Sequence, residues 1–140
     1  MTTNDNRPKP TPGRLAQAKA VVAEQHEAGA LTAKIAAQND AFRQMGPLPS
    51  RSGRWVVTRS VHDIGPVFVA LCLEAVGSFT AFTGDCDPYG THEMGGFEIQ
   101  GRKVWWKIDL YDADYAFGSP DPANPDVTRR VLTVLFPEDY

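Results

Sequence analysis

The clearest pattern in the chain is an alternation of apolar and polar side chains over residues 102–111. On an extended strand, alternate side chains point to opposite sides of the sheet. One side then carries apolar residues: Val104, Trp106, Ile108 and Leu110. The other side mixes aromatic and charged residues: Lys103, Trp105, Lys107, Asp109 and Tyr111. With a turn at Gln100-Gly101 and a preceding strand over 96–100, the pattern predicts a β-hairpin whose apolar side faces the core.

Two more segments have the residue types of strands. Residues 54–60 include Trp55, Val56, Val57 and Thr58, which are common in strands. Residues 131–136 (VLTVLF) are short, apolar and rich in β-branched side chains, which favours a buried strand. A helix that begins near Thr128 is the alternative for this last segment.

Three helices are predicted. The first covers residues 13–28, is rich in alanine and has few large apolar side chains, so we expect it at the periphery. Gly29 predicts a break, and a second helix follows over 31–44. Pro66 begins the third, which extends to about residue 79 and is apolar around most of its surface. We therefore expect the third helix to lie centrally, across a sheet.

Together these elements predict an α+β fold. A small antiparallel sheet of about four strands is covered on one face by a buried helix, with the N-terminal helices beside it. Residues 1–12 contain three prolines among polar residues and are expected to be disordered. The expected organisation is this segment, an N-terminal helical region over 13–45 and the α+β domain over 46–140.

Composition excludes several classes of protein. The chain has 140 residues, a length typical of one domain, and no apolar stretch long enough to cross a membrane. Its N-terminus lacks the apolar core of a signal peptide, so a cytoplasmic location is expected. Two cysteines make no disulfide framework; Cys72 is expected to pack in a helix, and Cys86 is flanked by aspartates.

Charge is distributed unevenly along the chain. Residues 1–80 carry nine Lys/Arg and six Asp/Glu, whereas residues 81–140 carry five and eleven. The acidic second part argues against nucleic-acid binding there, because a phosphate backbone requires basic surface. It suits a cation or a basic protein surface, although solvated loops have the same composition.

A polar loop before the hairpin contains the candidate chemistry: Asp85, Asp87, Tyr89, Gly90, His92 and Glu93. The loop begins like a calcium-binding loop but has no glutamate at its twelfth position. Asp85, Asp87 and His92, with Asp109 or Asp112, would suit a metal ion, and His92 beside a carboxylate would suit acid–base catalysis. In the structural interpretation, Asp87 starts a turn, Gly90 supplies a positive φ, and His92 bonds a carboxylate and ties the loop to the hairpin.

Several motifs resemble a bacterial domain family of unknown function, the one numbered 3768, over residues 39–140. They are Asn39-Asp40, the strand from Arg54 to Arg59, Asp87-Pro88-Tyr89-Gly90 with His92, Trp106-Lys107-Ile108-Asp109 with Tyr111-Asp112, Gly118-Ser119 with Asp121-Pro122, and Thr128 with Arg130-Val131-Leu132-Thr133. Cys86 stands where a polar residue such as asparagine is expected. The resemblance implies no activity; it implies, loosely, the plasmid- or phage-linked biology of bacterial accessory genomes.

The sequence therefore favours a small cytoplasmic interaction or regulatory domain that binds a protein. Its expected interface is formed by Trp105, Lys107, Asp109 and Tyr111, next to the acidic loop, because tyrosine and tryptophan often anchor interfaces. No cofactor is expected, and the sequence leaves metal binding open. The alternative is a metal-dependent or acid–base enzyme that uses Asp85, Asp87 and His92.

Overall fold

The computed structural model describes residues 12–140, and the expected disorder of residues 1–11 lies outside this range. The first element is one long helix, α1 (Pro12–Gln44), so the predicted break at Gly29 is wrong. A glycine inside a helix costs only about 1 kcal/mol relative to alanine, and no proline or capping residue accompanies it here. A boundary between Leu31 and Thr32 divides the described residues into two compact units. In the first unit, every side chain from residue 13 to 31 is exposed.

The second unit contains a four-stranded sheet and two further helices. The strands are β1 (Gly53–Val57), β2 (Met94–Ile99), β3 (Arg102–Tyr111) and β4 (Arg129–Leu135). The helices are α2 (Arg59–His62) and α3 (Pro66–Gly77), and a 3₁₀ turn (Pro137–Asp139) ends the chain. The strand order is β1-β4-β3-β2. The predicted α+β class and number of strands are confirmed, and the strand alternative for residues 131–136 is correct.

The sheet is mixed, because β1 pairs with β4 in parallel whereas the other two pairings are antiparallel. The predicted strand over 54–60 is too long at its C-terminal end. The hydroxyls of Thr58 and Ser60 both donate to Asp139, at 2.8 and 2.6 Å, and the chain enters α2 there instead of continuing along β4.

The core lies between one face of the sheet and the helices. Val104, Trp106 and Ile108 of β3 are buried, as the alternation predicts. α3 contributes Phe68, Cys72 and Val76, which lie one helical turn apart. The opposite side of α3 is open to solvent, and Val67 is 68% exposed. α3 therefore covers the sheet as predicted, but it is a surface helix with exposed apolar residues and not a central one.

The hairpin turn matches its prediction. Gln100 and Gly101 both have positive φ, 50° and 78°, as two-residue hairpin turns require. This turn sets the register in which Ile99 opposes Arg102 and Met94 opposes Lys107. Within residues 12–140, no helix has both the length and the hydropathy needed to span a membrane.

Candidate functional site

His92 connects the polar loop to α1. Its Nδ1 lies 2.9 and 3.0 Å from the two carboxylate oxygens of Asp40, and its ring stacks on Phe82 at 3.8 Å between centroids. Its Nε2 faces Asp87 at 3.6 Å. The prediction that His92 bonds a carboxylate is thus confirmed. His92, however, ties the loop to α1 and not to the hairpin, because its partner Asp40 lies 52 residues earlier in the chain.

The predicted turn at Asp87 is also present. The Gly90 amide donates to the Asp87 carbonyl at 3.2 Å, and Gly90 has a φ of 71°. The Asp87 carboxylate accepts a hydrogen bond from the His92 backbone amide at 3.1 Å, and the side chain is only 7% exposed. This bond holds His92 in its own positive φ of 55°. The turn therefore fixes the direction of the imidazole.

The other loop candidates do not join this group. Asp85 and Tyr89 are exposed. Glu93 takes part through its carbonyl, which accepts from the Ile108 amide at 2.7 Å and extends the hairpin pairing by one residue. Within the described range, no set of three or more His, Cys, Asp and Glu side chains is placed to hold a metal ion.

Asp40 and Arg43, neither of which the sequence identified as a site residue, complete the cluster, and Asp40 had appeared only in the motif Asn39-Asp40. The Arg43 guanidinium donates to Asp40 at 2.8 Å and to the carbonyls of Val76 and Phe79 at 2.8 and 3.0 Å. Val76 lies in the last turn of α3 and Phe79 just beyond it, and the Val76 carbonyl also accepts from the Phe79 amide at 3.3 Å. The spacing of Asp40 and Arg43 could have indicated their ion pair, because an acid and a base three positions apart on a helix lie next to each other.

Asn39 on α1 forms a second buried connection. Its side-chain amide donates to the Thr91 carbonyl at 2.8 Å, and its oxygen accepts from Arg130 Nε at 2.8 Å. Burial lowers the pKa of Arg130, which also donates to Gln38 at 3.1 Å. Both connections join α1 to the loop, so the polar residues near His92 order the loop against the domain.

The predicted interface residues lie on the sheet face opposite the core, which we call the outer face. It includes Val56, Trp105, Lys107, Asp109, Tyr111, Val131 and Thr133, and Arg54 and Arg129 lie on the same face. Lys107 Nζ lies 2.9 Å from Asp109, and this hydrogen bond raises the pKa of Lys107 against the opposing effect of burial. Trp105 packs edge-on against Tyr140 at 6.0 Å between centroids.

A cavity of about 370 Å³ lies beside β2, and we call it the edge groove. It is lined by residues from the loop, α3's end and the hairpin: Phe79, Ala81, Thr83, Asp85, Cys86, Met94, Gly95, Gly96 and Trp105. It brings together one residue of each predicted group, Asp85 of the loop and Trp105 of the interface. Cys86 is half-buried here and accepts a weak hydrogen bond from the Thr83 amide at 3.4 Å.

Comparison with known proteins places the described domain in a family. The family model described as "Protein of unknown function (DUF3768)" matches residues 57–139. The match includes the loop, the hairpin and β4, and it excludes the helix that carries Asp40 and Arg43. No curated protein and no solved structure matches the chain.

Proposed function

We propose that this chain, which belongs to the DUF3768 family of unknown function, is a non-enzymatic interaction or regulatory domain that binds a protein partner through its outer face. The observation that carries the proposal is the placement of Trp105 and Tyr111 on the side of the sheet opposite α3. Both aromatic side chains are only half-buried, so part of each ring is available for contact with a partner.

The arrangement suits an interface with aromatic anchors. Trp105 and Tyr111 lie six residues apart on β3, about 20 Å along a strand. Such residues supply most of the binding energy in many interfaces, whereas their polar neighbours contribute less. Between them, the neighbouring strands contribute Val56, Val131 and Thr133, which form a small surface of β-branched side chains.

The Lys107–Asp109 ion pair gives this surface one positive and one negative charge next to each other. Both side chains remain about one third exposed, at 34% and 41%. An ion pair this exposed contributes less than about 1 kcal/mol to folding. Opposite charges at the centre of a contact surface can instead orient a partner with complementary charges.

The cellular setting is part of the same proposal: a bacterial cytoplasm and an accessory protein of a mobile genetic element. Two features support it. Cys72 and Cys86 are both free thiols, as is usual in reducing compartments. The family resemblance supplies the link to bacterial accessory genomes.

Site-specific photocrosslinking in the native host tests the proposed surface. A benzophenone amino acid at Tyr111 should crosslink a partner protein, because this position lies on the outer face. The matched control places the same amino acid at Val67, which is 68% exposed on the opposite side of the domain. Crosslinks from Val67 but not from Tyr111 would refute the proposal.

A second candidate function, acid–base catalysis, is favoured by the contact between His92 Nδ1 and Asp40. A carboxylate on one imidazole nitrogen is the arrangement that orients a catalytic histidine. Nε2, which would have to reach a substrate, faces the buried Asp87 carboxylate at 3.6 Å. A panel of nitrophenyl esters and phosphates tests this candidate: turnover that is lost in His92→Gln would support it, and no turnover by the unmodified chain would count against it.

A further inference from the structure

The free edge of β2 is open for pairing with another strand. β2 is the last strand in the sheet order, so among residues 12–140 only one of its sides is paired. The Ile108 amide donates to the Glu93 carbonyl, and in antiparallel pairing such bonded pairs alternate with unbonded ones. Gly95, Phe97 and Ile99 therefore bond to β3. By the same alternation, the backbone groups of Met94, Gly96 and Glu98 point outward from the edge of the sheet.

This edge lacks most of the features that normally prevent strand addition. Proteins protect edges with prolines, bulges, very short strands or charged side chains. β2 has six residues in unbroken register with β3, and it contains no proline and one charge, Glu98. An edge of this length offers three residues for backbone pairing.

The edge groove curves around this same edge. Phe79 contacts the groove from the core side of the sheet, and Trp105 contacts it from the outer face. Gly95 is buried against Phe79 and Trp106, whereas Gly96 is exposed and has no side chain, so the backbone of β2 is accessible at Gly96. A Cβ on Gly96 would lie 3.1 Å from Trp105 Cδ1, which shows that the indole rests against this glycine. The groove's volume of about 370 Å³ accommodates one or two side chains.

We propose that β2 binds an extended segment of the partner protein as a fifth strand, and that this segment places an apolar and a basic side chain at the edge groove. The inference rests on the proposed function, because Trp105 belongs to both surfaces. Backbone hydrogen bonds to an exposed edge are a common mode of peptide recognition.

Charge identifies the partner segment as basic. Asp85 is the single charged side chain among the groove's lining residues, and Glu98 lies on the free edge. Lys103 opposes Glu98 but belongs to β3, one strand away from the edge. The β2 edge of a second copy carries Glu98 and no basic side chain, so a second copy does not supply the complementary charge.

A peptide-display experiment on the 140-residue chain tests the proposal. Random 12-residue peptides are selected on the protein, and their affinities are measured by fluorescence anisotropy. Selected peptides should combine Lys or Arg with an apolar residue, and Asp85→Asn should weaken their binding. Glu98→Pro, which removes an outward amide, should weaken binding about tenfold more than Glu98→Gln, which removes only the charge.

Two further measurements keep the test decisive if the proline variant does not fold. N-methylation of alternate peptide amides should lower affinity about tenfold at the paired positions. In hydrogen exchange, the peptide should protect the amides of Gly96 and Glu98 but leave Phe97 unchanged. Failure to select any peptide, unchanged exchange at Gly96 and Glu98, or protection that depends on protein concentration without peptide would each overturn the proposal. Crosslinking from Tyr111 would still succeed in those cases if the outer face alone binds the partner.

Discussion

Arg43→Met is the substitution that probes the connection between α1 and the rest of the domain. Arg43 is 2% exposed, and its guanidinium bonds two carbonyls at the end of α3 and the carboxylate of Asp40. It also lies over the rings of Phe82 and Trp106, at 5.2 and 4.9 Å from their centroids. One side chain thus holds α1, α3 and the loop together.

The expected loss follows from these contacts. A hydrogen bond from a charged donor contributes about 1.5–3 kcal/mol, and a buried carbonyl that loses its partner costs a similar amount. The Phe79 carbonyl loses its bond to Arg43, whereas the Val76 carbonyl keeps its bond from the Phe79 amide. Methionine fills much of the space of the arginine stem, so the cavity contribution is small. Removing one member of a buried charged group typically costs about 3–5 kcal/mol. We expect Arg43→Met to fall in this range, a large part of the 5–15 kcal/mol that stabilises most domains.

Urea unfolding followed by tryptophan fluorescence measures this loss. The matched control is Arg59→Met, the same change at an arginine that is 92% exposed and 3.7 Å from Asp63. The control should change the free energy of unfolding by less than about 0.5 kcal/mol. If Arg43→Met lowers the free energy of unfolding by no more than the control does, the contacts of Arg43 do not stabilise the domain.

Three further predictions concern single residues. Three hydrogen bonds, the strongest of them from a serine hydroxyl, lower the pKa of Asp139 below its ordinary 3.8. Because the folded pKa is depressed, Asp139→Asn should lower the urea midpoint at pH 7, and this difference should vanish as the pH falls through the folded pKa. Burial raises the pKa of Cys72, so a thiol reagent should modify Cys86 rapidly and Cys72 only on unfolding. Rapid modification of both cysteines in the folded protein would contradict this prediction. Gly95→Ala places a Cβ 2.5 Å from an indole nitrogen and should destabilise the fold by about 1–3 kcal/mol, whereas Gly84→Ala, with no atom within 4 Å, should be neutral in urea unfolding.

Local patterns were sufficient to predict the hairpin. The alternation along β3 and the turn at Gln100-Gly101 involve neighbours in the chain, and strand geometry alone determines which side chains share a face. The same holds for the turn at Asp87, where proline and glycine set the backbone. Placement of the interface residues on the outer face was therefore predictable, and their role in binding stays a prediction.

Contacts between distant residues were not predictable from one sequence. The bond between His92 and Asp40 spans 52 residues, and the bond between Arg130 and Asn39 spans 91. Both depend on how the sheet packs on α1. Arginine is usually exposed, so a sequence pattern does not predict a buried guanidinium. Its burial depends on partners that come together only in the folded domain. The parallel pairing of β1 with β4 likewise depends on a crossover through the whole domain.

Quantitative affinity capture from the native host tests the central claim, that Trp105 on the outer face binds a partner. The baits are the unmodified 140-residue chain, Trp105→Ala and Val67→Ala, each checked for folding by circular dichroism. An interface anchor contributes at least about 2 kcal/mol, or roughly thirtyfold in affinity. If Trp105 anchors the interface, one protein should be retained by the unmodified chain and by Val67→Ala and should be lost with Trp105→Ala. Equal recovery of every captured protein with all three baits would contradict it.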